Sequence, residues 1–146
     1  MVIAKLGSAV GLLGWDQEVN LPPKAQTYRG EVQAQLAREL HRLSTDKSFI
    51  GLIKELHKPD SMKQLSRDEQ VIVREVWRDV EKAVKLPGRF VEDFTKLTSQ
   101  AFAAWSDARQ KSDFSIFQPL LEKVVAMSRQ QADYLGFEAS PYECTA

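Results

Sequence analysis

Residues 12–23 read Leu12-Leu13-Gly14-Trp15-Asp16-Gln17-Glu18-Val19-Asn20-Leu21-Pro22-Pro23. An apolar helical end runs through a Trp-Asp-Gln-Glu cluster into a double-proline turn, and the locked φ angles and missing amides of the prolines stop the helix there. Upstream, Val2, Ile3, Leu6, Val10, Leu12 and Leu13 form an apolar segment that reads as the end of a buried helix. It does not read as an export signal or a membrane span. Lys5 interrupts it, no basic region precedes it, and it is too short to cross a bilayer.

Downstream of the prolines the apolar period is helical throughout. Over residues 25–43, Tyr28, Val32, Leu36, Leu40 and Leu43 recur at spacings of three and four, with Arg29, Glu31, Arg38, Glu39 and Arg42 on the other faces. Asp46 opens a shorter pattern through Phe49, Ile50, Ile53 and Leu56 that Pro59 should end, leaving a loop at 58–65. Ser66 and Glu69 have capping-box spacing and start a fourth helix carrying Val73, Val76, Trp77, Val80 and Val84. Pro87 suits the first turn of a fifth helix, about 87–110, where Phe90, Phe94 and Leu97 give way to Ala101, Ala104 or Trp105, and Ala108. A sixth, about 113–135, carries Phe117, Leu120, Leu121, Val124 and Leu135, provided that Pro119 lies near its start, and Gly136 should supply a left-handed C-cap.

No segment alternates like a strand and no repeat appears, so the expected class is all-α: a single domain over 1–146, an antiparallel bundle of about five or six helices around the aromatic faces of the fourth, fifth and sixth. Lys plus Arg number 20 and Asp plus Glu number 20, so no net field favours nucleic acid or an anionic membrane, and neither partner is expected. The one cysteine, Cys144, allows no internal disulfide and reads as an inert thiol, which fits a cytoplasmic protein.

Several stretches, in order, resemble the carboxypeptidase Taq family of zinc metallocarboxypeptidases. Residues 12–22 look like its Leu-Leu-x-Trp-Asp-Gln-Glu-x-x-Met-Pro run, with Leu21 in place of Met. Residues 88–125, with Trp105, Asp113, Phe114 and Pro119, look like its ATSEAQxAWxxARxxNDFxxFxPxLExIV stretch, and Gly136 to Tyr142, with Pro141, look like its GYExSPYD. The resemblance covers about residues 9–143 and lapses at Cys144-Thr145-Ala146, where the family continues ALLDxYEPG. It implies an all-α fold with a deep groove, walled by N-terminal helices, in homodimers that release C-terminal residues from peptides with zinc or a similar ion such as cobalt. It also implies an enzyme about three times longer, whose metal is held by a His-Glu-x-x-His helix and a downstream Glu.

That motif is absent from this sequence. Its two histidines, His41 and His57, lie far from the four-residue spacing that shares a helix face, and each reads as a cationic cap on a helix C-terminus. Asp16 and Glu18 invite reading as a carboxylate pair beside Trp15, but two residues apart on a helix they diverge by about 200°. Asp16 is expected to cap or pin the Pro22-Pro23 turn, and Trp15, Trp77, Trp105 and the Phe stripe to be core. The expectation is no catalytic residue, no metal ligand and no cofactor in this chain. Trp15, Asp16, Gln17, Glu18, Pro22, Trp105, Asp113, Phe114, Pro141 and Tyr142 are then structural signature positions. Two readings follow: a non-catalytic N-terminal helical segment of such an enzyme, inactive alone and joined by the catalytic portion, or a stand-alone helical module that self-associates through apolar faces.

Overall fold

The computed structural model describes residues 2–137 and Ser140. Those residues are all-α, as the periodicity requires: α1 (Val2–Val19), α2 (Gln26–Ser44), α3 (Lys47–Leu56), α4 (Pro59–Met62), α5 (Arg67–Ala83), α6 (Gly88–Lys111) and α7 (Gln118–Leu135). Single 3-10 turns at Pro23–Ala25 and Phe114–Ile116 lead into α2 and α7.

Local chemistry sets most of the boundaries. Asp46 caps α3, its side chain accepting from the Ser48 and Phe49 amides. At α5 both halves of the capping box are formed. The Ser66 hydroxyl accepts from the Glu69 amide at 3.4 Å, and Glu69 accepts from the Ser66 amide at 2.8 Å. Pro119 sits in the first turn of α7, where no amide partner is lost.

Three boundary expectations are corrected. The segment 58–65 is not all loop, because Pro59 opens the one-turn α4 with its preset φ. Pro87 precedes α6 as its extended N-cap instead of lying inside the first turn. Gly136 has positive φ (79°) but an extended ψ of 142°, so it is not left-handed helical. The left-handed residue is Ser112 (φ 52°, ψ 37°) after α6, where its amide reaches the Arg109 carbonyl and that of Asp113 reaches Ala108 (2.9 Å) in a Schellman closure.

The packing order also differs from the expected cluster of consecutive helices. α1, α2, α6 and α7 lie side by side in that spatial order, while α5 turns away from α6 to pair with α3. The α2–α6 pair is antiparallel, as its contacts show: Gly30 faces Ser99, Arg38 pairs with Glu92 (3.0 Å), and His41 lies on Gly88. Small groups make this seam close. A Cβ on Gly30 would sit 2.9 Å from Ser99 Oγ and 3.2 Å from its Cβ, and Ser99 and Ala34 are both buried. Phe90 meets Tyr134 edge-on (5.3 Å) between α6 and α7, and the Lys85 ammonium donates to the Leu135 carbonyl (2.7 Å), capping α7. The N-terminal helix departs from expectation, for α1 contains no buried residue.

Two stability effects are expected. Gly30→Ala should lower stability by about 1 kcal/mol net in denaturant unfolding, since overpacking a fixed seam costs roughly 1–3 kcal/mol and outweighs the gain in helix propensity. Adding Ser99→Ala should recover part of that loss. Ser112→Gly should raise stability by about 0.5–1 kcal/mol, because glycine removes the left-handed penalty.

Candidate functional site

The Trp-Asp-Gln-Glu cluster forms the last turn of α1, and α2 and α6 position its members separately. Arg29 of α2 pairs with Asp16 at 2.7 Å and donates to the Leu13 carbonyl at 3.0 Å, so one guanidinium closes the end of α1. Asn20 adds a long hydrogen bond to Asp16 (3.4 Å), and the Asp16 carbonyl accepts from the Asn20 and Leu21 amides. Asp16 thereby ties the helix to the turn that Pro22 begins. Gln17 points inward, its carbonyl oxygen accepting from the buried Ser99 hydroxyl (3.3 Å). Glu18 is exposed, so the two carboxylates form no joint site. Trp15, expected in the core, is 58% exposed.

The second signature group lies around the α6–α7 junction. Trp105 is also exposed, at 42%, tilted against Phe102 (5.8 Å) with the Arg109 guanidinium 5.7 Å from its ring centre. Phe114 is exposed too, edge-on to Phe117. The aromatic stripe is thus only partly core: Phe90 is buried and Trp77 half-buried. Asp113 accepts from the Ser115 hydroxyl (2.6 Å) and amide (3.0 Å), and these bonds hold its carboxyl below the usual range. It is a turn-forming group. Pro141, Tyr142 and Cys144 lie outside the described residues.

The histidines do not meet. His57 caps α3 and stacks on Trp77 of α5, centroids 5.3 Å apart and nearly parallel. His41 lies in the last turn of α2, half-buried against Gly88, where a Cβ added to the glycine would stand 3.4 Å from the ring. Burial pushes its pKa down, opposed in part by a hydrogen bond to the Leu86 backbone. The expected cationic cap is therefore overturned at His41, because desolvation favours the neutral ring. Among the described residues no three His, Cys, Asp or Glu side chains converge to hold a metal ion, so these residues do not fit a metal centre.

Two grooves among the described residues also lack such a cluster. One of about 470 Å³, lined by Ile3, Phe49, Ile53, Ile72, Val76 and Val80, is apolar and lies between the start of α1 and the α3–α5 hairpin. Another, of about 350 Å³ beside His41, carries Arg38, Arg42 and Arg89, but each pairs with a carboxylate: Glu92, Glu39 and Asp93 respectively. No described helix is long and apolar enough to cross a membrane.

An all-helical chain with the signature turn ordered by Asp16, Gln17 and Arg29 belongs to a protein class that comparison makes explicit. Residues 2–145 match the model of the Carboxypeptidase Taq (M32) metallopeptidase family, and the chain belongs to that family, as its N-terminal portion. It is 35% identical over 138 residues to thermostable carboxypeptidase 1 of Pyrococcus furiosus and 29% identical over 141 residues to carboxypeptidase 1 of Bacillus subtilis. Those matches take in 94% and 97% of this chain but only 27% and 28% of the relatives. Among solved structures, BsuCP superposes with a TM-score of 0.89 at 29% identity, and the Pyrococcus furiosus carboxypeptidase in its apo-Mg form with 0.70 at 34%. Each covers 97% of this chain, which spans 28% of either.

The burial of neutral His41 has a pH consequence. Its folded pKa lies below the unfolded value of about 6.5, so the unfolded chain binds more protons as the solution acidifies through that value. This contribution to stability is complete above the unfolded pKa and is lost as pH falls through the folded one. Chemical denaturation from about pH 8 to pH 5 should show that decline, and His41→Gln should flatten it. The hydrogen-bonded carboxylates Asp46, Glu69 and Asp113 are also depressed and act at lower pH, below about 4.

Proposed function

We propose that this chain is the non-catalytic helical scaffold of a carboxypeptidase Taq-family enzyme. The parent activity would be metal-dependent release of C-terminal amino acids from peptides. One observation carries the reading: a match over residues 2–145 that spans only 27% of a carboxypeptidase relative, in a chain without a His-Glu-x-x-His motif. The geometry supports it. His41 and His57 are packed against Gly88 and Trp77, and Asp16 is committed to Arg29.

In the whole enzyme a divalent ion, zinc or cobalt, would polarise the terminal peptide carbonyl and lower the pKa of an attacking water. What this chain's own residues do in the proposal is structural: they fix α1, α2, α6 and α7 side by side as a wall. The catalytic portion is the partner that this role requires. A cytoplasmic setting suits the proposal, since a single cysteine in 146 residues allows no internal disulfide.

Purified chain incubated with zinc or cobalt and a blocked peptide should show no carboxypeptidase turnover. Turnover that persists after stringent removal of contaminating protease and stops with a chelator would overturn the scaffold reading. Light scattering on the same sample bears on the second reading. A discrete, concentration-independent dimer would favour a self-associating helical module, which exposed Leu12, Trp15 and Val19 on α1 make a definite alternative.

A further inference from the structure

α1 is apolar on nearly every side. Val2, Ile3, Leu6, Val10, Leu12, Leu13, Trp15 and Val19 are distributed around it, and Lys5, Asp16 and Glu18 are its only charges. A helix that is hydrophobic all round is normally enclosed. Here none of its residues is buried, because within the array only α2 flanks it closely. The side turned to α2 holds half-buried Leu6, Val10, Leu13 and Gln17. On the far side Leu12, Trp15 and Val19, spaced by three and four residues, form one stripe and are 64%, 58% and 60% exposed.

Surface area gives the scale of what is uncovered. The chain exposes 10103 Å², whereas a compact monomer of 146 residues exposes about 7,600 Å². The excess, about 2,500 Å², is of the order that a permanent interface covers on one partner, roughly 1,000–2,500 Å². Two observations point to the occupant. The backbone superposes on BsuCP with a TM-score of 0.89, so these helices take the arrangement they have in a chain of which they are only 28%. The three residues of the stripe are also wholly apolar, as a seam inside one folded chain is.

We infer that the Leu12-Trp15-Val19 face of α1 is the seam against which the catalytic remainder of a carboxypeptidase Taq-family chain packs, with Trp15 as its central anchor. The inference rests on the scaffold reading and gives it a surface. A large aromatic set between two aliphatic neighbours on a flat helical face has the form of an interface hot spot, since it buries the most area for the least entropy.

The test compares this chain alone with a full-length chimera in which it replaces the equivalent first 28% of BsuCP. Leu12→Cys and Trp15→Cys are made singly in a Cys144→Ser background. Lys63→Cys serves as the reference, its native side chain being 76% exposed. Because positions 12 and 15 are exposed, the substitutions leave the bundle's own contacts intact. The rate of thiol labelling at each, divided by that at 63, should be at least about tenfold lower in the chimera than in the chain alone. Equal ratios in the two proteins would overturn the inference. So would protection in the chain alone that rises with concentration alongside a dimer mass, because a second copy would then own the face. The chimera's carboxypeptidase activity is read separately. A folded chimera without activity, or turnover by the chain alone, counts against the scaffold reading, whereas the thiol ratios decide the face.

Discussion

The contact of Gly30 with Ser99 is the constraint on which the rest of the array depends. With only 2.9 Å between a would-be Cβ and the serine hydroxyl, the α2 backbone lies against α6, and any larger group at either position would push the helices apart. Once those two residues are opposed, the antiparallel register follows. Glu31 comes near Lys96 (3.9 Å), Arg38 reaches Glu92, and His41 falls on Gly88 at the elbow between α5 and α6. The ion pairs along the seam are exposed and contribute at most a few tenths of a kcal/mol to about 1 kcal/mol each. They follow the register without setting it. What holds it is the shape of a small-residue surface, in which Gly30, Ala34 and Ser99 bring many atoms within dispersion range.

The same contact organises the signature turn. Ser99, held against Gly30, presents its hydroxyl to Gln17, while Arg29, one residue before Gly30, reaches Asp16 and the Leu13 carbonyl. The Trp-Asp-Gln-Glu cluster is therefore a joint between three helices, in which Asp16 and Gln17 face inward and Trp15 and Glu18 face out. A carboxylate paired with an arginine at 2.7 Å is committed to that contact, unlike the free, desolvated acid that a two-carboxylate reaction needs.

The helices were legible because their signals are local. The capping box at Ser66 and Glu69, the cap at Asp46 and the proline near the start of α7 each act over three or four residues, and the structure has them where the pattern puts them. Pairing was not legible. Periodicity says which face of α6 is buried but not that α2, some 60 residues earlier, covers it in place of adjacent α5. His41 misled for a related reason, since a position in the last turn predicts a cation, while burial against the start of α6, distant in sequence, pushes its pKa down. Trp15 and Trp105 misled because apolarity shows that a residue avoids water, not which chain shelters it. Ser112 carried no backbone signal, serine being a poor left-handed residue. The Asn at that place in the family pattern was the one clue.

A layer of helices is half of a domain. In α1–α2–α6–α7 the two inner helices have neighbours on both flanks and the two outer ones on one, and the faces of the layer are left to other elements, of which the α3–α5 pair is one. The consequence is visible in what is buried: among the described residues nine hydrophobic ones are enclosed, four of them alanines, and no large side chain is wholly sealed. Alanine fixes the spacing of helices but offers little area for the hydrophobic effect, at about 25 cal/mol per Å² of apolar surface removed from water. The larger side chains that could supply that area, Leu12, Trp15, Leu52, Ile72 and Phe114 among them, stand on the outside. With these large apolar side chains on its outer faces, the layer by itself realises only part of the hydrophobic gain that its sequence could make.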